Sequence, residues 1–142
     1  MFKKIITLLI MTWLLIFNIV YAQSSNFDKK TKCINLGELY YSNFVKEQEH
    51  NEMFSFLTMD MTHEVAYSSQ LDTCLIYIRI KFKDHPGHQG INLNKYIFDL
   101  LNNRSLYSMA YGMHDGKEVV LTTASSFKTD KEFTDKKEEL FK

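Results

Sequence analysis

The apolar and polar positions along the chain change period several times, and each change marks an element. From Ile5 to Val20 the residues form an almost unbroken apolar run, preceded by Lys3 and Lys4. From about Thr31 to His50 the pattern turns helical. Cys33, Leu36, Tyr40 and Phe44 recur at spacings of three and four, and Leu39 and Tyr41 widen the stripe. Lys46, Glu47, Gln48 and Glu49 give that helix a polar end. Gly37 lies inside it, at a cost of about 1 kcal/mol relative to Ala. Asn35 followed by Glu38 also reads as a capping box, which leaves two possible starts for the helix.

Beyond His50 the period drops to two. Met61, His63, Val65 and Tyr67 alternate with Thr62, Glu64, Ala66 and Ser68, which predicts a strand over 62–67. Met53–Met59 is either a further strand or the first limb of a long bent one. Ser68-Ser69-Gln70 supplies turn residues. From Cys74 to Lys83 one face carries Cys74, Ile76, Ile78, Ile80 and Phe82, and the other carries Leu75, Tyr77, Arg79, Lys81 and Lys83. That alternation predicts a half-buried antiparallel strand. Asp84–Gly90 reads as a loop that turns at Pro86-Gly87.

Two hairpins follow. Asn102-Asn103 suits a two-residue turn, because Asn tolerates positive φ. That turn pairs Phe98 with Tyr107 and Tyr96 with Met109, and places Tyr96, Phe98, Leu100, Tyr107, Met109 and Tyr111 on one face. Asp115-Gly116 reverses the chain into Lys117–Thr123. Thr129-Asp130-Lys131-Glu132 is a capping box opening a helix that carries Phe133, Leu140 and Phe141. The expected fold is α+β: an N-terminal helix packed on a four- to five-stranded antiparallel meander, with a short C-terminal helix. This element order resembles cystatin-like and β-lactamase-inhibitor-like layouts, a likeness of architecture alone.

The start of the chain reads as a targeting segment. A Lys3-Lys4 n-region, the apolar run and Val20-Tyr21-Ala22 before Gln23 predict a signal peptide over 1–22 that is cleaved after Ala22. The competing reading is a retained anchor, since Ile5 to Ala22 is long enough to span a bilayer. Thr7, Thr12, Asn18 and the absence of a charged stop over 21–26 count against it. Either reading keeps the lysines inside and sends residues 23–142 across the membrane. Residues 23–30, Gln-Ser-Ser-Asn-Phe-Asp-Lys-Lys, are polar and predict a flexible arm; residues 31–142 then form one domain. The expected location is periplasmic or secreted, with no membrane association after cleavage. The short Lys-Lys start suits a Gram-negative periplasm. The sequon Asn103-Arg104-Ser105 has meaning only in a eukaryotic secretory route.

Composition narrows the function. Of 142 residues, 45% are hydrophobic and one is Pro, which excludes disordered and collagen-like chains. Seventeen basic residues cancel seventeen acidic ones, so no net field favours nucleic acid. The small cluster Lys29, Lys30 and Lys32 is offset by Asp28. The cysteines, Cys33 and Cys74, lie 41 positions apart, and an even pair outside the cytosol predicts a disulfide. Chain entropy credits a loop of that length with about 4 kcal/mol. Such a bond places the N-terminal helix on the sheet face that carries Cys74.

The stretch Tyr67-Ser68-Ser69-Gln70-Leu71-Asp72-Thr73-Cys74 forms a Tyr-x-x-x-Leu-x-x-Cys run entering a strand. It resembles a signature of uncharacterised exported bacterial proteins, in which the Tyr often follows His; here Ala66 precedes it. The resemblance implies export and no particular activity.

Candidate chemistry is sparse. His85 and His88 flank Pro86-Gly87, and His114 precedes the Asp115-Gly116 turn, so these three are the candidate metal ligands. Read without a metal, they belong to solvated loops. His63 reads as a hydrogen-bonded histidine at the rim of the core. No Gly-x-Ser-x-Gly elbow and no Gly-rich phosphate loop occur, so neither catalysis nor a cofactor is expected. Glu138-Glu139 lies among lysines and reads as a solvated face. The candidate partner-binding residues are those forced away from the N-terminal helix: Leu75, Tyr77, Arg79 and Lys81, joined by Ile97 and Leu101 with Asp99, Leu106 and Ser108. They mix apolar and charged side chains as an interface does. The competing arrangement has the C-terminal helix cover them through Phe133, Leu140 and Phe141. The expected function is a small exported, disulfide-stabilised, non-enzymatic binding or inhibitor-type protein, acting through a protein–protein surface on a partner in the envelope or outside the cell. An extracytoplasmic small-ligand or metal binder is the alternative, and a hydrolase with an unrecognised site is a third class.

Overall fold

A computed structural model describes residues 2–50, 59–82, 91–114, 117–123 and 127–142. Helix α1 runs over Phe2–His50. By compactness the chain divides into Met1–Lys32 and Cys33–Lys142. Residues 23–30, expected as an arm, are helical. No Gly or Pro occurs between Phe2 and Leu36, so nothing in the backbone interrupts the hydrogen-bond ladder.

The second unit confirms the α+β expectation with five strands. β1 (Met59–Ser68), β2 (Thr73–Phe82), β3 (Ile91–Asp99), β4 (Arg104–His114) and β5 (Lys117–Thr123) lie in sequence order in one antiparallel sheet, and α2 (Asp130–Leu140) closes the chain. Of the Met53–Met59 stretch only Met59 is described, as the first residue of β1. The Asp84–Gly90 loop with His85 and His88, and the Asp115-Gly116 turn, lie outside the described residues.

The period-two patterns orient β1 and β2 as expected. Met61, His63, Val65 and Tyr67 stand opposite Ile80, Ile78, Ile76 and Cys74. Ile76, Ile78, Ile80 and Phe82 form a buried core against Tyr40, Tyr41 and Phe44 of α1, with Val65, Tyr96 and Phe98 alongside. Tyr40 meets Phe98 with ring centroids 5.5 Å apart. Leu39, expected to widen the apolar stripe, is exposed. At 3.6 residues per turn it lies on the far side of the helix from Gly37, which is buried against β1. The disulfide joins Cys33 to Cys74, with Cα atoms 5.2 Å apart and both residues buried. It fixes α1 on this face of the sheet.

The β3–β4 hairpin differs from expectation by one residue. Ile97 stands opposite Tyr107, Tyr96 opposite Ser108 and Lys95 opposite Met109, and an irregularity between Ile97 and Phe98 shifts the register toward the turn. The connection uses four residues, 100–103, rather than Asn102-Asn103 alone. Because strand side chains alternate, this slip sends β4 to the opposite faces. Tyr96 and Phe98 stay under α1, whereas Met109 and Tyr111 join Ile97 and Phe133 in a second core under α2.

That second core covers the face expected to meet a partner. Thr129 caps α2, its hydroxyl accepting a 3.3 Å hydrogen bond from the Glu132 amide, and the Glu132 carboxylate accepts one of 2.7 Å from the Lys128 amide. Phe133 and Leu140 are the buried residues of α2. Burying each of them contributes about 1.5–3 kcal/mol. An isolated helix of this length is marginal in water, so its docking on the sheet holds it folded.

Candidate functional site

The meander brings two turns to one end of the sheet. β1 and β2 are joined by residues 69–72, β3 and β4 by residues 100–103, and Leu75 of β2 stands opposite Asp99 of β3. The Leu100 amide donates a 2.8 Å hydrogen bond to the Cys74 carbonyl, so the second turn is anchored beside the disulfide. Among the described residues, two non-glycine residues have positive φ, and each lies in one of these turns: Asp72 at 47° and Asn103 at 47°. Both types reach the left-handed region at low cost, because a short polar side chain can bond locally.

Asp99 joins the second turn to the start of β2. Its side chain is 1% exposed, and Oδ1 accepts a 2.6 Å hydrogen bond from the Thr73 hydroxyl at the start of β2. The same oxygen accepts 3.2 Å from the Asn102 amide, while Oδ2 accepts 2.8 Å from Asn102 Nδ2 and lies 3.4 Å from Arg104 Nε. Burial pushes this carboxyl up, but the hydrogen bonds from Thr73 and Asn102 and the Arg104 charge outweigh it and hold it below the usual carboxylate value. In the first turn, the Tyr67 hydroxyl donates to Asp72 Oδ1. Each turn then presents one leucine to solvent: Leu71 is 44% exposed and Leu101 59%. This tip can bind by shape and apolar contact, with its backbone already ordered.

A second polar cluster lies under α2. Lys95 of β3 is 7% exposed. Its ammonium donates to Asp130 Oδ1, and the Tyr111 hydroxyl donates to the same oxygen over 2.6 Å. The ammonium also lies 5.5 Å from the Tyr111 ring centre and 6.0 Å from that of Phe133. Burial raises the Asp130 carboxyl; bonds from Lys95 and Tyr111, with the charges of Lys95 and Arg79, bring it below the usual value. Further along α2, Lys137 pairs with Glu64 of β1 and lies over the Tyr77 and Phe141 rings.

The residues singled out from the sequence therefore separate. Leu75 and Ile97, at 0% and 1% exposed, are core beneath α2, and in this arrangement no partner touches them. Tyr77 packs on Phe133 and Arg79 is half-buried, whereas Lys81 and Leu101 are accessible. Cys33 and Cys74 form the expected bond. His85 and His88 lie outside the described residues. His114 ends β4 opposite Lys117. Among the described residues, no group of three His, Cys, Asp or Glu could hold a metal. His63 Nε2 lies 2.9 Å from Glu38 Oε1, and its ring stacks on Tyr41 at 3.8 Å, clasping α1 to β1. Sequence reading named Leu71 and Asp130 for other reasons and did not find Leu71 as an exposed anchor, the turn-binding role of Asp99, or the pairing of Lys95 with Asp130. An Asp three residues before Asn102 is the one available signal, since Asp side chains bond turn amides ahead of them. Among the residues whose side chains are described, which leave out 2–12 and 14–26 of α1, no helix is long and apolar enough to cross a membrane. Comparison with protein-family models, curated proteins and solved structures gave no match.

Proposed function

We propose that residues 23–142 act outside the cytoplasm, in the periplasm or as a secreted protein, as a small non-enzymatic binding protein of inhibitor type that engages a protein partner through the two-turn tip. One observation carries this reading: buried Asp99 ties the 100–103 turn to Thr73, the β2 residue that follows the 69–72 turn, and Tyr67 bonds Asp72 within that first turn, while Leu71 and Leu101 remain exposed. Turns ordered before binding lose less entropy on association, so two apolar anchors on a fixed frame suit recognition. Export is supported by the Lys3-Lys4 start, the Val20-Tyr21-Ala22 site and the disulfide, a bond that persists in oxidising compartments. Leu101 is retained from the expected partner face; Lys81, at the far end of β2 from the tip, and buried Leu75 and Ile97 are not.

Affinity capture from the native envelope extract and culture fluid, using the wild-type protein and a Leu71→Asp/Leu101→Asp variant, tests the reading. A protein retained by the wild type and lost by the variant is expected. Equal retention by both moves the contact off the tip. An exported protein whose amino terminus is Met1 rather than Gln23 removes the signal-peptide assignment.

A further inference from the structure

Helix α2 is attached to the sheet by few apolar side chains and by charge. Phe133 and Leu140 are its buried residues, and most of the remainder are Asp, Glu and Lys. Its first residue, Asp130, reaches the sheet through Lys95 and Tyr111, and its later turn does so through the Lys137–Glu64 pair. Beneath it lie Leu75, Ile97 and Met109, all closed to solvent.

We propose that Asp130 is the latch of a detachable strap: when its charge is lost, the first turn of α2 leaves the sheet and uncovers the face built on Ile97, Met109 and Tyr111. The chemistry lies in Lys95. Its side chain is 9% exposed, and Asp130, whose own side chain is 54% exposed, is its anionic partner. A buried charge whose partner is neutralised is strongly destabilised, whereas one that reaches water is not. Releasing α2 is the route by which Lys95 regains hydration without unfolding the disulfide-tied half of the sheet. The groups facing Asp130 are Lys95 from β3, Tyr111 from β4, and Arg79 and Tyr77 from β2. Lys95 and Arg79 are the cations among them, and both favour the charged carboxylate. The strap is therefore closed at neutral pH. It opens as pH falls through the depressed Asp130 value, below the ordinary carboxylate value of 3.8.

Amide hydrogen exchange on the oxidised, exported protein, corrected for intrinsic rates, tests this. Residues 130–140 are compared with β2 and β3 between pH 6 and pH 2.5. In the wild type, the open fraction of α2 rises at least tenfold on acidification while β2 and β3 keep their protection. Asp130→Asn shows the raised opening already at pH 6. Lys95→Met, which removes the buried charge, keeps α2 closed across the range. Loss of protection in α2 only together with β2 and β3 overturns the proposal, as does an acid response in Lys95→Met equal to that of the wild type. If Asp130→Asn does not fold, the wild-type and Lys95→Met profiles decide between these outcomes.

Discussion

Gly37 of α1 and Val65 of β1 meet where no side chain on the helix fits. A Cβ placed on Gly37 would lie 2.6 Å from Val65 Cγ1 and 3.0 Å from its Cβ, and closer still to Cγ2. The glycine costs the helix propensity, but it lets α1 approach the sheet closely at this turn. Gly37→Ala should therefore destabilise the protein by about 1–3 kcal/mol despite the better helix former, because Val65 is β-branched and cannot rotate aside. Adding Val65→Ala should recover part of that loss. Urea unfolding of the two single variants and the double variant measures the coupling, and simple additivity would show that the contact is not what sets the cost.

The observed β3–β4 register makes Met109 a neighbour of Phe133 rather than of Phe98. Met109→Ala should cost about 2–5 kcal/mol. A double-mutant cycle should show coupling with Phe133→Leu and none with Phe98→Leu. Coupling with Phe98 instead would mean that the irregularity between Ile97 and Phe98 is absent and that Met109 shares the face of Tyr96 and Phe98.

Asp99 supplies a pH-dependent term. Its folded pKa lies below the unfolded one, so its contribution is present above the ordinary carboxylate value and disappears as pH falls through the folded value. Asp99→Asn should lower stability at pH 7 by about 1.5–3 kcal/mol, in line with losing hydrogen bonds to a charged group. It should also flatten the acid limb of the stability curve below pH 3.8. Thermal melts across that range check both effects, and a variant whose curve runs parallel to the wild type would remove the carboxylate from this role.

Cys33 and Cys74 are buried, so reductant reaches their bond only when the structure opens. Cys33→Ser should cost about 2–5 kcal/mol, the usual loss for a native disulfide in a small domain. In the wild type, thiol release under mild reductant should follow the global unfolding rate. Rapid release at full native protection would place the bond at the surface.

Local sequence settled the features that depend on near neighbours. The capping box at Thr129 places the start of α2, because its two hydrogen bonds need residues three or four apart. The alternation from Cys74 to Phe82 sorts β2 into its two faces, since an extended chain has no other periodicity. With Cys33 on the helical stripe, the cysteine pair also placed α1 on the correct side.

Three features waited for the tertiary structure. Asp99 gathers the 100–103 turn around its carboxylate, and this lengthens the turn beyond Asn102-Asn103. The longer turn alone moves the pairing by two positions and keeps the faces; the irregularity between Ile97 and Phe98 moves it back by one, and that single residue of slip exchanges the two faces of β4, so Met109 and Tyr111 lie under the other helix. The place of α2 over Leu75 and Ile97 depends on Lys95 and Glu64, which are 35 and 73 positions from the residues they bind. No local pattern encodes contacts at that separation. The same holds for the tip: Leu71 stands alone among polar residues and Leu101 only extends the apolar run of β3, and the order of the strands puts their turns at one end of the sheet.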